Sequence, residues 1–516
     1  MAVKINFNAE ATKTHTALIY NERLMGKSLL RLSTGYRILN AADDSAGLFI
    51  ADMLGTVAAA LEQGNANIQT GISALQIAES SAGQIYTKLQ EIYVRAQRAA
   101  NDINDPNARA ALQQEITNFV DAIDKIATDT EYNGIKLLDG TFTGKYIHYG
   151  PRMNQAVSVS ISSLRATELG AYTVEGNISD SARRATSGSN NYANLLGSNL
   201  NFRYNSATDK LIVADVDLSS NFSDGNAVDA KTIADAINTN TTLQKLGITA
   251  SVSINRTVAD EDFGSITLDA GESLTIKIFV GKDASSSVVN ITLTGGAGGT
   301  NYNLSYIVDE INTQASNAGS SLRADISNGA LVLQTSGETI GIEVTNNSGD
   351  DFNLSKLFPD GPTISDGNTG SGIQVGRLII GGVDLFSYDL SGLTGNNAEG
   401  LALTSPSGSA TGVSLNEISV LDNPSAEEAL MIVTKAMQKT DKIRAQIGAT
   451  MNNLQSIFDS QKVAYDNTKE AESVIRNTDY AKEMSEFVTY QIRMQATVAM
   501  LAQANTLPQL VLQLMR

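Results

Sequence analysis

The feature that most constrains this 516-residue chain is the recurrence of apolar residues at every seventh position near both of its ends. Near the N-terminus the series consists of Leu18, Met25, Leu32 and Leu39, with Leu29 and Tyr36 at intermediate positions. Near the C-terminus it consists of Tyr480, Phe487, Met494 and Leu501, with Met484 and Val498 at intermediate positions. Such spacing places apolar side chains in one stripe along an α-helix, as in coiled coils. We therefore expect the two ends to pair in one helical rod, with the middle of the chain at its far tip.

The last residues predict a further partner for this rod. From Met494 to Met515 the chain carries no charge. A two-helix seam covers only a narrow stripe, whereas bulky apolar residues here surround the predicted helix. We expect neighbouring copies to cover the rest, in a ring or an open filament. Periodicity alone leaves open a coiled coil within one monomer. The predicted self-assembly core consists of Leu18, Met25, Leu32, Leu39, Tyr480, Phe487, Met494, Val498, Leu501, Leu507, Leu510, Val511 and Leu514.

Composition and targeting patterns narrow the class of protein. The net charge of −18 and the pI of about 4.6 disfavour binding to nucleic acid, which needs clustered Lys and Arg. The N-terminal residues do not match a secretory signal peptide. Polar residues such as Gln503, Asn505 and Gln513 interrupt the apolar C-terminus, so we expect no membrane insertion.

No pattern of catalytic residues is found in the sequence. There is no cysteine, and histidine occurs only at His15 and His148, outside any metal-ligand spacing. We therefore expect no enzymatic activity, no cofactor and no metal site.

Between its ends the chain predicts further helices and then a β-rich region. A second sevenfold series runs from Leu54 to Ala96, and a break is expected at residues 40–47, where Asp43 and Asp44 suit a helix start. Asp105 and Pro106 begin a third helix, and the turn dipeptide Asn133-Gly134 predicts a hairpin after it. Helical pattern returns in "NPSAEEALMIV", where Ser425 and Glu428 form a predicted capping box.

The middle of the chain is rich in Ser, Thr, Asn and Gly and contains short β-branched runs, which predict strands. "IADAIN" (233–238) and "IVDEIN" (307–312) each precede a predicted strand, so we expect a repeated helix-and-strand unit, although the match is short enough for chance. The region also holds N-x-S/T sequons, a frequent chance product of this composition but also candidate glycosylation sites. They lie at Asn177, Asn221, Asn240, Asn255, Asn290, Asn303, Asn346 and Asn353.

Two long motifs carry a resemblance to a known family. "SLLRLSTGYRILNAADDSAGLFIAD" (28–52) and "IRNTDYAKEMSEFVTYQIRMQATVAMLAQANTLPQLVLQLMR" (475–516) resemble the N-terminal and C-terminal signatures of bacterial flagellin, and "NGIKLLDG" (133–140) is similar to its hairpin motif. The resemblance covers residues 1–175 and 420–516. It implies a subunit of the flagellar filament, a helical homopolymer used for motility, with mainly α terminal regions that form a coiled-coil rod with a β-hairpin, and inserted β-rich (α+β) outer domains.

The resemblance also implies partners and a location. These are the flagellar cap, the hook-junction proteins and an export chaperone, secretion through the flagellar export channel, and an extracellular place in the flagellum. The termini are expected to be disordered in the free monomer and to fold on assembly. The expected regions are a core helix (1–42), a helical outer-tube part with the hairpin (43–175), a variable β-rich region of two subdomains (176–420), a returning helix (421–474) and a second core helix (475–516).

One stretch departs from the family pattern. "LQEIYVRAQRAAND" (89–102) stands where many flagellins resemble "LxRIRELAVQAANG", a surface gripped by the vertebrate innate flagellin receptor. The departures are Glu91, Tyr93, Val94 and Arg95. A partner surface complementary to the family pattern would meet unpaired or like charges at these positions. We therefore expect weak or absent receptor activation.

Two other functions are compatible with parts of the sequence. A hook-filament junction protein shares the N-terminal pattern, but the ending "LPQLVLQLMR" favours flagellin. A surface adhesin with a helical stalk would keep terminal helices but would not need a C-terminus that must be buried.

Overall fold

The computed structural model describes residues 8–101, 103–176, 183–188, 192, 211–222, 229–281, 285–391 and 407–514. Its helices are α1 (Ala9–Thr34), α2 (Ser45–Ala99), α3 (Pro106–Asp129), α4 (Ala230–Thr239), α5 (Thr241–Lys245), α6 (Leu304–Asn317), α7 (Asn423–Arg476) and α8 (Tyr480–Leu514). The long helices are α1, α2, α3, α7 and α8, so the predicted fold class of helical terminal regions around a β-rich middle is confirmed.

The strands before residue 270 are β1 (Glu131–Tyr132), β2 (Ile135–Lys136), β3 (Lys145–His148), β4 (Ala156–Val159), β5 (Gly170–Glu175), β6 (Arg183–Gly188), β7 (Ile212–Val213), β8 (Val216–Asp217), β9 (Thr249–Val252), β10 (Asn255–Val258) and β11 (Ser265–Leu268). Those after it are β12 (Ser273–Val280), β13 (Val289–Thr294), β14 (Thr300–Asn303), β15 (Arg323–Ser327), β16 (Ala330–Thr335), β17 (Ile340–Asn347), β18 (Phe352–Asn353), β19 (Thr363–Ile364), β20 (Thr369–Gln374), β21 (Leu378–Gly382), β22 (Ser387–Asp389), β23 (Ser407–Ser409) and β24 (Thr411–Ser414).

The chain divides into two compact units. The first consists of Met1–Gln76, Gly144–Ser160 and Gly448–Arg516, and the second of Ile77–Thr143 and Ile161–Ile447. The boundaries fall within α2 and α7, so this division differs from the five regions expected from the sequence, whose limits stay predictions.

Local sequence explains where the long helices begin and end. Gly35 ends α1 with a left-handed backbone (φ 75°). Asp44 accepts a hydrogen bond from the Gly47 N–H at the start of α2, and Asp105 caps α3 in the same way through the Ala108 N–H. The predicted capping box of α7 is wrong, because Asp422 accepts the Ser425 N–H while Glu428 contacts Arg377 instead.

In the first unit, a hairpin of β3 and β4 rests on two glycines of α2. A Cβ added at Gly64 would lie 2.0 Å from the Tyr149 carbonyl oxygen, and one at Gly71 would lie 2.4 Å from Ile147 Cδ1. Between these glycines, Asn67 Nδ2 donates to the His148 carbonyl at 3.0 Å. Two glycines seven residues apart therefore leave room for the hairpin to pack closely against α2.

In the second unit, parts of α2, α3 and α7 share a helical core. The α2 series is buried here at Ala82, Leu89 and Ala96, as its spacing predicted. Glu79 of α2 pairs with Arg444 of α7 at 2.8 Å. The turn of the β1–β2 hairpin is Asn133-Gly134 with positive φ at both residues (51° and 75°), the type I′ geometry expected of this dipeptide.

The β-rich part of the second unit is antiparallel. Its largest sheets have the orders β13-β12-β17-β20-β6, β24-β5-β21-β9 and β23-β22-β7-β8. Buried side chains form two clusters, one that includes Ile233 and Ile237 of α4 and one that includes Ile307 and Ile311 of α6.

The repeated helix-and-strand unit is present. In the first copy, the Asn238 side chain of α4 donates to the Ala250 carbonyl at 2.7 Å and accepts from the Ala250 N–H at 2.9 Å. In the second copy, Asn312 of α6 makes both bonds to Ala324 at 2.8 Å. The Asn of each Ile-Asn pair thus joins its helix to the following strand at the same 12-residue separation, which is not expected of chance similarity.

Candidate assembly surface on the paired chain ends

Helices α1 and α8 pair in antiparallel fashion along one seam. One series of less exposed residues of α1 recurs at spacings of three and four and is flanked by half-buried Leu24, Lys27 and Arg31; it consists of Ala11, Thr14, Leu18, Asn21, Met25, Ser28 and Leu32. The matching series of α8 consists of Glu483, Phe487, Tyr490, Met494, Thr497, Leu501 and Ala504. This alternation is that of a coiled coil. It brings together six of the predicted core residues, which are Leu18, Met25, Leu32, Phe487, Met494 and Leu501.

Other predicted positions lie outside the seam. Tyr480, Met484 and Val498 are exposed, as are Leu29 and Tyr36. Sequence reasoning chose the large apolar residues Met484, Val498 and Leu29 as intermediate positions. The seam contains their polar neighbours Glu483, Thr497 and Ser28 instead. Leu39 is half-buried but follows the helix, which ends before Gly35.

Four predicted core residues near the C-terminus are described only in part. Leu507, Leu510, Val511 and Leu514 lie within α8 by backbone, and their side chains are outside the described residues.

Polar side chains cross the seam at three heights. Asn8 Nδ2 donates to the Ala504 carbonyl at 2.9 Å, and Ser28 Oγ donates to the Glu483 carbonyl at 3.3 Å. Between them, Asn21 Nδ2 donates to Thr497 Oγ1 at 3.2 Å. Sequence reasoning missed these residues, and the spacing from Leu18 to Asn21 to Met25 was the available signal.

The seam is closed at one end by backbone contacts. The Thr478 N–H donates to the Gly35 carbonyl at 2.8 Å, and the Arg37 N–H donates to the Arg476 carbonyl at 2.7 Å. The Arg476 guanidinium lies 5.1 Å from the centre of the Tyr36 ring. These contacts hold residues 35–37, which follow α1, against residues 476–478, which precede α8.

An ion pair holds the turn between α1 and α2. Lys27 Nζ lies 2.6 Å from Asp43 Oδ1, and this hydrogen bond is the main cause that lowers the pKa of the Asp43 carboxyl. Asp43 also accepts the Leu39 N–H at 3.1 Å. A charge-assisted contact therefore orders the break expected at residues 40–47.

Large apolar side chains remain on the outer faces of the pair. They are Ile19, Tyr20, Leu29 and Leu30 on α1, and Met484, Val488, Ile492, Val498 and Met500 on α8. Ile492 and Met500 keep 60% and 61% of their surface exposed. Exposed apolar side chains in this number make the outer faces a candidate interaction site.

Two of the four predicted receptor-surface residues, Glu91 and Arg95, contact each other on α2. Arg95 pairs with Glu91 and, at 3.1 Å, with Glu115 of α3, and its guanidinium lies 5.0 Å from the Phe119 ring centre. Val94 is exposed and Tyr93 is half-buried. The substituted charges are thus paired within the chain.

The candidate glycosylation sites differ in accessibility. Asn255 and Asn346 are buried, and their Nδ2 groups donate to backbone carbonyls, so a linked sugar there is incompatible with this fold. Asn240 and Asn353 are half-buried caps whose Oδ1 atoms accept backbone N–H groups. The exposed sites are Asn221, Asn290 and Asn303, and Asn177 lies outside the described residues.

Among the described residues, no group of three or more His, Asp or Glu side chains could hold a metal ion. There, α2 is also the one helix long and apolar enough to cross a membrane. Length and composition alone are weak grounds for a span, and buried Leu61, Ile68 and Leu75 suit a core helix equally well.

Comparison with known proteins gives consistent matches at both ends. Residues 5–143 match the family model of the bacterial flagellin N-terminal helical region, and residues 430–515 match that of the C-terminal helical region. Flagellin of Aquifex pyrophilus is 51% identical over 521 aligned residues, and flagellin of Aquifex aeolicus (strain VF5) is 47% identical over 542, each with 100% of both chains covered.

Solved structures give a weaker likeness. FliC from Burkholderia pseudomallei has 14% identity and a TM-score of 0.29, and covers 74% of this chain and 99% of its own. The flagellar junction protein FlgL from Legionella pneumophila has 11% identity and a TM-score of 0.32, and covers 83% and 99%. The full-length identity to the two Aquifex proteins and the two terminal matches decide the family. The chain belongs to the bacterial flagellins.

Proposed function

We propose that this chain is the structural subunit of a bacterial flagellar filament and that its copies assemble through the paired helices α1 and α8. Family membership supports the filament, and the outer faces of the helix pair support the assembly surface. The single observation that carries the surface is the row of exposed apolar side chains on both helices, from Ile19 to Leu30 and from Met484 to Met500.

Burial of these faces against further copies would drive assembly. An apolar side chain moved from water to a packed interface contributes about 1.5–3 kcal/mol. A helix apolar on several sides needs more than one partner, and a subunit repeated by a constant rotation and rise supplies such partners on every side. The chain ends would thereby form the inner core of the tube.

Folding of the ends would accompany assembly. Of the large apolar seam residues, Leu18, Met25 and Leu32 on α1 and Phe487 and Met494 on α8 are only half-buried by the pair itself. So little burial offsets only part of the entropy lost when two long segments become ordered. Neighbouring copies would provide the remainder.

The further partners follow from the family. They are the flagellar cap, the hook-junction proteins and an export chaperone that covers α8 before secretion, and the assembled product would lie outside the cell. The proposed role is structural and requires no catalysis, cofactor or metal.

Truncation tests the proposed function. Purified full-length chain should form filaments visible by negative-stain electron microscopy, whereas a chain lacking residues 1–40 and 477–516 should remain monomeric at the same concentration. Circular dichroism would verify that the truncated chain keeps its β-rich part. Filaments formed by the truncated chain would show that the paired ends are not the assembly element.

We also propose weak activation of the vertebrate flagellin receptor. Because Arg95 is engaged by Glu91, Glu115 and Phe119, it is not free to replace the family's basic contacts. In a reporter-cell assay the monomer should be less potent than the variant Glu91→Arg with Arg95→Leu. Equal potency would overturn this proposal.

A further inference from the structure

One polar pair interrupts an otherwise apolar stretch of the seam between α1 and α8. Asn21 lies between Leu18 and Met25 on α1, and Thr497 lies between Met494 and Leu501 on α8. Elsewhere in the seam, Asn8 and Ser28 donate to backbone carbonyls.

The geometry of the pair is directional. Thr497 Oγ1 donates its hydrogen to the Arg493 carbonyl at 2.7 Å, so its lone pair is left for Asn21 Nδ2 at 3.2 Å. The hydroxyl can therefore act toward Asn21 only as an acceptor, and the amide of Asn21 can act only as the donor.

The pair discriminates between alignments where the backbone bonds do not. A helix presents a carbonyl at every turn, but among the seven seam residues of α8 Thr497 alone carries a hydroxyl on its Cβ. A shift of one heptad would place Tyr490 or Ala504 opposite Asn21. Pairing with an α1 helix of another copy would remove Thr497 from Asn21 altogether. In each case the half-buried Asn21 amide loses the hydroxyl that accepts its hydrogen, which is unfavourable.

We propose that Asn21 is a positioning residue that selects α8 as the partner of α1 and fixes the register of the pair. This inference rests on the proposed function, because a filament crowds many copies of both helices together. A single Asn in a coiled-coil seam specifies register and partner at some loss of stability. The selection lies in a side-chain pair and not in the apolar residues, which tolerate a heptad shift.

Introduced disulfides can report the register, because the natural chain contains no cysteine. Met25 lies midway between Asn21 and Ser28, and Tyr490 midway between Thr497 and Glu483, so Met25→Cys with Tyr490→Cys reports the native alignment. Leu18→Cys with Tyr490→Cys reports a shift of one heptad. Filaments and dilute soluble chain are oxidised, and intrachain bonds are measured by non-reducing electrophoresis.

With Asn21 present, the native pair should cross-link about tenfold more than the shifted pair, as expected for one hydrogen bond and its desolvation. Asn21→Leu and Thr497→Val should each lower this ratio severalfold, even where the added apolar surface raises helix content. Thr497→Ser keeps the hydroxyl and should restore the ratio. Asn505→Leu adds the same apolar side chain at an exposed position of α8 and should leave it unchanged.

An unchanged ratio in both Asn21→Leu and Thr497→Val would overturn the inference. An unchanged ratio in Thr497→Val alone would show that the Thr497 hydroxyl does not set the register. Failure of the unsubstituted protein to form filaments would overturn the proposed function instead. Without assembly, α1 and α8 would have to pair within one chain, and the ratio measured in the soluble chain would then decide the role of Asn21.

Discussion

At the scale of single residues, Glu428 of α7 shares a polar cluster with Glu175 and Arg377. Arg377 Nη2 lies 2.9 Å from Glu175 Oε2 and 3.2 Å from Glu428 Oε2. Burial, together with the hydrogen bond to Glu175, raises the pKa of Glu428 to about 7. One guanidinium therefore serves two carboxyl groups, of which Glu428 holds a proton below neutral pH.

This cluster predicts a pH-dependent stability. The folded chain holds a proton on Glu428 that the unfolded chain releases above its ordinary pKa of 4.5, so stability falls as pH rises from about 4.5 to about 7. The loss is on the order of 2 kcal/mol, since partial exposure reduces the effect of the full shift. In thermal unfolding between pH 5 and pH 8, Glu428→Gln should flatten this dependence. Glu470→Gln, at an exposed position of the same helix, should retain it. Equal slopes in all three proteins would contradict the assignment.

Two helix glycines predict opposite responses to alanine. Alanine normally stabilises a helix interior by about 1 kcal/mol relative to glycine. At Gly448 of α7 a Cβ meets nothing within 4 Å, so Gly448→Ala should follow that rule. At Gly64 it would lie 2.0 Å from the Tyr149 carbonyl oxygen, so Gly64→Ala should destabilise the chain by about 1–3 kcal/mol.

Chemical denaturation measures both glycine effects, and hydrogen exchange of residues 145–159 should rise in Gly64→Ala only. If the hairpin in Gly64→Ala stayed as well protected as in the natural chain, Gly64 would not be required for its packing on α2.

At the scale of elements, heptad spacing predicted the helices better than their facing residues. Seven-residue recurrence identified Phe487, Met494 and Leu501 because large apolar residues occupy that half of the seam. The other half is occupied by Tyr490 and by Glu483, Thr497 and Ala504, and the polarity or small size of these last three gives no apolar signal. Tertiary contacts such as the one between Glu428 and Arg377 were not readable, because they join residues distant in the chain.

The repeated unit was predictable in outline but not in mechanism. The shared Ile-Asn ending indicated two helices followed by strands, and the structure adds that Asn238 and Asn312 bond the strand backbone. Asn238→Ala and Asn312→Ala should each cost about 2 kcal/mol, because two backbone groups lose their partner. Asn301→Ala, at an exposed strand position, should cost less than about 0.5 kcal/mol. Urea unfolding compares the three, and equal losses would show that the clamp is not specific.

At the scale of the whole molecule, the outer faces of α1 and α8 should control assembly and not monomer stability. Ile492 is 60% exposed on α8, and Leu385, in the second unit, is 62% exposed. Ile492→Asn should raise the critical concentration for filament growth about tenfold or more, since the lost burial exceeds about 1.4 kcal/mol. Leu385→Asn should not. Light scattering of seeded growth measures the critical concentration. A larger effect of Leu385→Asn would place the assembly surface in the second unit.

The central claim is that the paired chain ends are the core of a homopolymer, and a cryo-electron microscopy reconstruction of filaments grown from this chain tests it most directly. The account predicts α1 and α8 at the inner wall, with Leu29, Ile492 and Met500 buried against other copies and Asn21 bonded to Thr497. A filament whose subunits contact one another only through the β-rich part, with those three side chains left in solvent, would contradict it.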